Sequence, residues 1–399
     1  MKTFRSVLFW VHLSAGLLAG TVILIMSVTG VALTYQRQMQ LWADTRHYQF
    51  TPPPGTERLP AATLVDAIRT WDASAPPTAL TIRSDASAPA SVAVGNRTIY
   101  VNPYTAQVYG EGTGTTLRAF FSEMVVWHRY LAMSGESRTT GRAVTGASNL
   151  LFLFLVLSGL YLWWPKSLGL AQLRNILWFR RGLRPKARDF NWHNVLGFWS
   201  AIPLAIVVYS GVVISYPWAG NMVYRVFGET PPAGRGAGPG PGPAGRGGEP
   251  GGRSGAERQA AAVTAIDVES LLQRAMAREP DWSILTARIP TPDAPTTTVM
   301  VDRGDGGQPQ LRGTLTLDAA TGAERSWEPF SAQTPGRRTR SFLRFAHTGE
   351  YYGLTGQTIA GLVSAAAVVL VYTGIALSFR RLKAWLAQRR GAERRSAAA

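Results

Sequence analysis

Four stretches of the chain are apolar for long enough to cross a bilayer. Phe9 to Tyr35 runs for about 27 residues without Asp, Glu, Lys or Arg, and Val144 to Trp164, Val195 to Trp218 and Ile359 to Phe379 follow it. An α-helix rises about 1.5 Å per residue, so roughly 20 apolar residues span the hydrocarbon core. The pattern predicts an α-helical membrane protein with four transmembrane helices, at 1–36, 143–165, 193–218 and 356–380. The first stretch carries a histidine, His12, near its start. An ionisable side chain at such a place costs about 2.5 kcal/mol or more on insertion scales, which makes it a candidate for function.

The polar stretches between the spans show shorter periods. In 37–115, a proline-rich link (Pro52 to Pro60) leads to a helical run, Ala61 to Trp71. Alternating strands follow at Thr78 to Arg83, Ala90 to Val94 and Thr98 to Val101, the last two joined by a Gly95-Asn96 turn. The stretch closes with VNPYTAQVYGE. In 258–330 the order recurs: a helix at Asp267 to Arg278, strands at Ser283 to Arg288, Thr297 to Val301 and Gly313 to Leu317, and the closing turn LDAATGAERSW. Two small α+β modules are expected, each followed by a histidine-bearing segment, 116–142 and 331–355. The stretch 219–257 contains the Gly/Pro/Arg-rich run Thr230 to Gly255, which lacks periodicity and is expected to be a disordered linker.

Charge orients the chain. The 399 residues carry a formal net charge of +17 and no cysteine. Without cysteine there is no disulfide, thiolate metal site, iron–sulfur cluster or C-x-x-C-H haem attachment. The positive charge is concentrated in 166–192 (Lys166, Arg174, Arg180, Arg181, Arg184, Lys186, Arg188) and in the tail 381–399, beside Lys2 and Arg5. That is positive-inside bias and not a nucleic-acid surface. Both termini and the 166–192 loop are therefore expected in the cytoplasm, and the segments 37–140 and 219–355 outside, which suits a bacterial inner membrane with periplasmic modules. The first apolar core is too long for a signal peptide.

The two halves are numerically related. From His12, Gly16, Gly30 and Tyr35 follow at offsets 4, 18 and 23; from His193, Gly197, Gly211 and Tyr216 follow at the same offsets. From Gly141, Gly146 and Gly159 lie at 5 and 18, as Gly361 and Gly374 do from Gly356. Each half also has an external histidine, His128 or His347, ahead of its second span. Halves that start and end on the same side are parallel repeats about an axis along the membrane normal. Such an axis pairs His12 with His193 near the inner face and His128 with His347 near the outer face.

Two stacked histidine pairs fit bis-histidine ligation of two non-covalent b haems, with the four imidazoles as axial ligands of the iron. Gly16 and Gly197, one turn from their histidines, and Gly30 and Gly211, about five turns on, leave one helix stripe clear for flat macrocycles. Arg129, Arg142, Arg340 and Arg344 are candidate partners for the propionates. The plainer alternative for any one histidine is an interhelical hydrogen bond, and for any one glycine a packing seam. Zinc or copper is disfavoured because carboxylate and thiolate ligands are missing from the spans. His47 has no counterpart in the other half and is expected at the surface. No nucleophile and base constellation, phosphate loop or dinucleotide fingerprint is present, so no catalytic acid or base is assigned.

Taken together, the His12–Gly30 run, WHRYL at Trp127 to Leu131, SGLYLWWP at Ser158 to Pro165, FNWHNVLGFW at Phe190 to Trp199 and AHTGEYYGLTGQ at Ala346 to Gln357 resemble the PepSY-associated transmembrane-helix family, the iron-regulated membrane proteins. The external modules resemble PepSY domains, with Ala106 standing where their closing turn usually has glycine. The resemblance implies a di-haem reductase of ferric siderophores: His12 and His193 would hold the inner haem, His128 and His347 the outer one. Electrons would pass from an unidentified cytoplasmic or quinol donor to a periplasmic ferric chelate, releasing Fe(II). Two other classes stay open: a haem b carrier serving a different periplasmic acceptor, and a non-redox PepSY binding or inhibitory module anchored in the lipid bilayer.

Overall fold

The computed structural model describes residues 2–52, 54–74, 76–164, 169, 174, 176–232, 267–291 and 294–396. The first half comprises α1 (Lys2–Ala32), α2 (Gln36–Thr45), α3 (Ala61–Trp71), β1 (Pro77–Arg83), β2 (Ala90–Val94), β3 (Arg97–Val101), β4 (Val108–Glu111), α4 (Thr115–Tyr130) and α5 (Arg138–Trp163). The second half runs through the same order: α6 (Pro185–Ser215), α7 (Pro217–Val226), α8 (Val268–Arg278), β5 (Ile284–Arg288), β6 (Thr296–Asp302), β7 (Arg312–Asp318), β8 (Glu324–Pro329), α9 (Pro335–His347) and α10 (Gly353–Ser396). Most of the 219–257 linker lies outside the described residues.

Helices α1, α5, α6 and α10 are each long and apolar enough to cross a membrane. Two of them run well beyond the hydropathy limits: α6 begins at Pro185 and α10 continues to Ser396. Hydropathy marks the hydrocarbon portion only, and helix-favouring Ala, Leu, Arg and Lys carry the helix onward into the polar zone. Each of the four packs along two neighbours, in the cyclic order α1, α5, α6, α10, which sets α1 across from α6. The outward faces are apolar: Leu18 is 78% exposed and Ile202 75%. Side chains of this kind belong against lipid.

At the end of the bundle remote from the arginine clusters, the two expected modules are fused. All eight strands form one antiparallel sheet in the order β4-β3-β2-β1-β5-β6-β7-β8, joined at the β1–β5 seam, where Thr81 lies opposite Thr286. The alternating apolar positions Leu80, Val92, Ile99, Leu285, Val299 and Leu315 face one side of the sheet. Helices α3 and α8 cover that side with Leu64, Ile68, Leu271 and Leu272, so the sheet and both helices share a single core. Glu269 of α8 accepts a hydrogen bond at 2.8 Å from the Ala61 amide that opens α3, a cap supplied by one half to the other.

Strands β4 and β8 form from the stretches read as closing turns. The turns themselves are there: Asn102 and Asp318 each accept backbone hydrogen bonds from the residues two and three further on. Ala106 and Gly322 then occupy the left-handed region at φ 57° and 68°.

Candidate functional site

Among the hydroxyl–glycine dipeptides of the four spans are Thr29-Gly30 in α1, Ser158-Gly159 in α5, Ser210-Gly211 in α6 and Thr373-Gly374 in α10. Each of these dipeptides receives one of the four predicted histidines. His12 Nδ1 lies 2.8 Å from Ser158 Oγ, His193 Nδ1 2.9 Å from Thr373 Oγ1, His128 Nδ1 3.0 Å from Thr29 Oγ1 and His347 Nδ1 3.2 Å from Ser210 Oγ.

The hydroxyl protons fix the direction of these bonds. Thr29 donates to Ile25 O at 2.7 Å, Ser158 to Phe154 O at 2.6 Å, Ser210 to Val207 O at 2.7 Å and Thr373 to Val369 O at 2.7 Å, all within their own helices. A hydroxyl has one proton, and here the preceding turn takes it. Each hydroxyl oxygen therefore accepts from Nδ1–H. That tautomer leaves a lone pair on Nε2 of each ring, to which none of the described residues donates a hydrogen bond. His347 Nδ1–H is shared with Val207 O at 2.9 Å, which fixes it the same way.

The glycines give the rings their room. A methyl group at Gly30, Gly159, Gly211 or Gly374 would meet Cε1 of the supported histidine at 3.7, 3.5, 3.3 and 3.5 Å respectively. Space at Gly30 and Gly211 is thus occupied by the imidazoles of His128 and His347. At Gly16 and Gly197 a methyl would meet a single leucine methyl, at 3.8 Å in both cases, so these positions border open space one turn from His12 and His193.

At the sheet end, α4 packs on α1 and α9 on α6, bringing His128 and His347 together. Their ring centroids are 6.2 Å apart with planes at 64°. A metal between two imidazoles, bonded at about 2.0 Å on each side, needs ring centres separated by roughly this distance. Near the arginine-rich end, His12 and His193 project from α1 and α6, the helices that face each other across the bundle. Among the described residues no group of three or more His, Cys, Asp or Glu is arranged to hold an ion. What the described residues bring close is a pair of imidazoles, His128 and His347.

Both helices that carry the outer histidines are capped by an acid. Asp44 accepts from the Gly114 amide at 3.1 Å ahead of α4, and Glu229 accepts from the Gly336 amide and the Thr334 hydroxyl, each at 2.7 Å, at the start of α9. Gly141 and Gly356 press against the chain just after the two histidines. A methyl at either would come within 2.2 Å of a carbonyl oxygen, that of Tyr130 or Gly349. Both histidine helices are thereby locked onto the spans that follow them.

The predicted arginines lie on the helices that carry His128 and His347 or, for Arg142, on α5 packed beside α4. Arg129 follows His128, with its guanidinium 5.3 Å from the Tyr130 ring. Arg344 lies one turn before His347, 5.8 Å from the Phe345 ring, and burial draws it below the usual arginine value while Glu350 opposes that shift. Arg142 donates to Ser215 O at 3.3 Å, binding the end of α6. Its counterpart by spacing, Gln357, donates to Thr34 O at 2.8 Å, at the matching place beyond α1. Arg340 lies against Gly220 in α7.

At the other end, the Asp189 carboxylate is buried four residues before His193, held by Arg188 at 2.9 Å and Arg380 at 2.6 Å. The hydropathy reading passed over this triad because Asp189 precedes the apolar run of α6. The exposed His47 lies apart from both histidine pairs.

With four helices long and apolar enough to cross a membrane and a sheet-bearing cap, the molecule is a membrane protein. The family model described as PepSY-associated TM region matches residues 9–395, and the chain belongs to that family. No curated protein sequence matches it.

Proposed function

We propose that the protein is a di-haem b electron-transfer protein of the bacterial inner membrane, which reduces a ferric chelate in the periplasm with electrons from the cytoplasmic side. The observation that carries this reading is the His128–His347 arrangement, two neutral imidazoles with Nδ1 tied down and ring centres 6.2 Å apart. Metal-binding histidines characteristically donate the other ring N–H to a fixed acceptor, which raises the basicity of the ligating nitrogen. A haem would supply one-electron chemistry at each pair.

The remaining tasks fall to the chain. Ser158 and Thr373 orient His12 and His193; Thr29 and Ser210 orient His128 and His347. Arg129, Arg142 and Arg344 supply positive charge beside the outer pair for haem propionates or an anionic chelate. The arginine-rich end faces the cytoplasm with both termini, the sheet faces the periplasm, and the halves are parallel repeats about an axis along the membrane normal. Reduction of the iron weakens a hard-oxygen chelate, so no catalytic acid or base is required.

The test is a pyridine haemochrome count with oxidised and dithionite-reduced spectra of detergent-purified protein. Wild type should hold about two b haems, and His12→Ala and His128→Ala about one each. A colourless protein after expression with haem supply would end this reading and favour a membrane-anchored binding module.

A further inference from the structure

Beside α9 lies a recess of about 340 Å³ whose walls are Phe227, Phe330, Phe342 and Tyr351, with Arg338 and Thr339 at its polar side. Phe342 and Tyr351 meet edge to face, with ring centroids 4.9 Å apart and planes at 84°. Arg338 is exposed and, among the described residues, has no carboxylate partner. Glu229, the acid at the start of α9, is already engaged by the Gly336 amide and the Thr334 hydroxyl.

Comparison of the two histidine helices singles this place out. Counting back from the histidines, Arg338 and Phe342 of α9 correspond to Ala119 and Glu123 of α4. A role shared by both helices, such as presenting an imidazole, therefore needs neither the guanidinium nor the ring. α9 also carries Arg337, Arg340 and Arg344 and no acidic residue. The recess and its positive charge belong to one half only.

We infer that this recess binds an aromatic arm of an anionic, phenolate-bearing ferric chelate. Aromatic walls at these angles receive a flat ring edge to face, and a guanidinium pairs with phenolate or carboxylate oxygens. The volume accommodates a substituted ring with the metal centre outside it. Phe342 precedes His347 by five residues, about 7.5 Å along the helix axis and roughly 140° around it, so the recess and the imidazole lie on different faces of the same helix. The inference rests on the redox reading above. A haem held by His128 and His347 would supply the one electron that takes the chelated Fe(III) to Fe(II). The phenolate oxygens take protons from water as Fe(II) departs, and no bond to the protein forms or breaks.

The experiment uses redox-inert gallium(III) complexes and the full chain in lipid nanodiscs, with binding followed by calorimetry. The 2,3-dihydroxybenzoate complex, aromatic and anionic, is compared with the desferrioxamine B complex, a hydroxamate without rings. Wild type should prefer the former; Arg338→Ala should weaken it about tenfold and Phe342→Leu several-fold, with haem content and hydroxamate binding unchanged. Equal binding of both complexes by wild type, or no loss in Arg338→Ala, would overturn the inference. So would the finding that Arg338 retains phosphatidylglycerol in place of the chelate. Binding of gallium needs no electron, so a colourless protein that discriminates the complexes defeats only the redox reading. A di-haem protein that does not discriminate defeats only the recess.

Discussion

Thr81 and Thr286 share a hydrogen bond of 3.0 Å between their hydroxyls at the middle of the eight-stranded sheet, on the seam between the two halves. Replacing one by valine leaves its partner without this bond in a partly buried place, whereas replacing both removes donor and acceptor together. Thr81→Val and Thr286→Val should each cost about 1 kcal/mol, and the double variant no more than either single one. Thermal unfolding of the three variants forms the cycle. A double variant that loses the full sum would show that the two hydroxyls act independently.

The hydroxyls that accept from Nδ1 should tune the histidines without being ligands. Thr29→Val removes the hydroxyl acceptor of His128, and loss of such a partner typically costs 10–100-fold in metal affinity, whereas Ser210→Ala leaves His347 bonded to Val207 O and should cost less. Haem retention during dilution should fall by that order at the outer site, while the inner site is unaffected. Thr29→Ser keeps the acceptor and should restore retention. If Thr29→Ser behaves like Thr29→Val, the effect comes from packing and not from the hydrogen bond.

Ala106 carries a Cβ at φ 57°, where its counterpart in the second half is Gly322. The left-handed conformation costs a non-glycine residue roughly 1–2 kcal/mol. Ala106→Gly should therefore stabilise the sheet by about 1 kcal/mol after the entropy of the unfolded glycine is subtracted, and Gly322→Ala should destabilise it by a similar amount. Both changes are read from the melting temperature, with opposite signs expected.

The spans and the four histidines are legible in the sequence because hydropathy and equal spacing are local signals. Six strands are legible for the same reason, through alternation in runs such as Ala90 to Val94 and Thr297 to Val301. Strands β4 and β8 are not: Val108–Glu111 is short, and Glu324–Pro329 is an edge strand with its side chains mostly outside the core. The β1–β5 seam joins residues about 200 positions apart, and no local pattern announces which edges will meet.

The site was legible in its ligands more than in their support. Thr29-Gly30, Ser158-Gly159, Ser210-Gly211 and Thr373-Gly374 serve in the sequence as landmarks of spacing, but spacing along one helix does not say which side chain of another helix fills the gap. The available signal was numerical: each span has a hydroxyl–glycine dipeptide whose glycine lies 18 residues after His12, Gly141, His193 or Gly356, and there are four histidines to match.

The seam has a consequence for the chain as a polymer. Each half supplies its own acceptors for its own histidines. The halves then meet through the β1–β5 pairing, the α1–α10 and α5–α6 packing and the facing imidazoles. None of these contacts requires the backbone to be continuous between Trp164 and Pro185, where the first half ends and the second begins. The two halves, 1–164 and 185–399, would thus behave as partners with complementary edges.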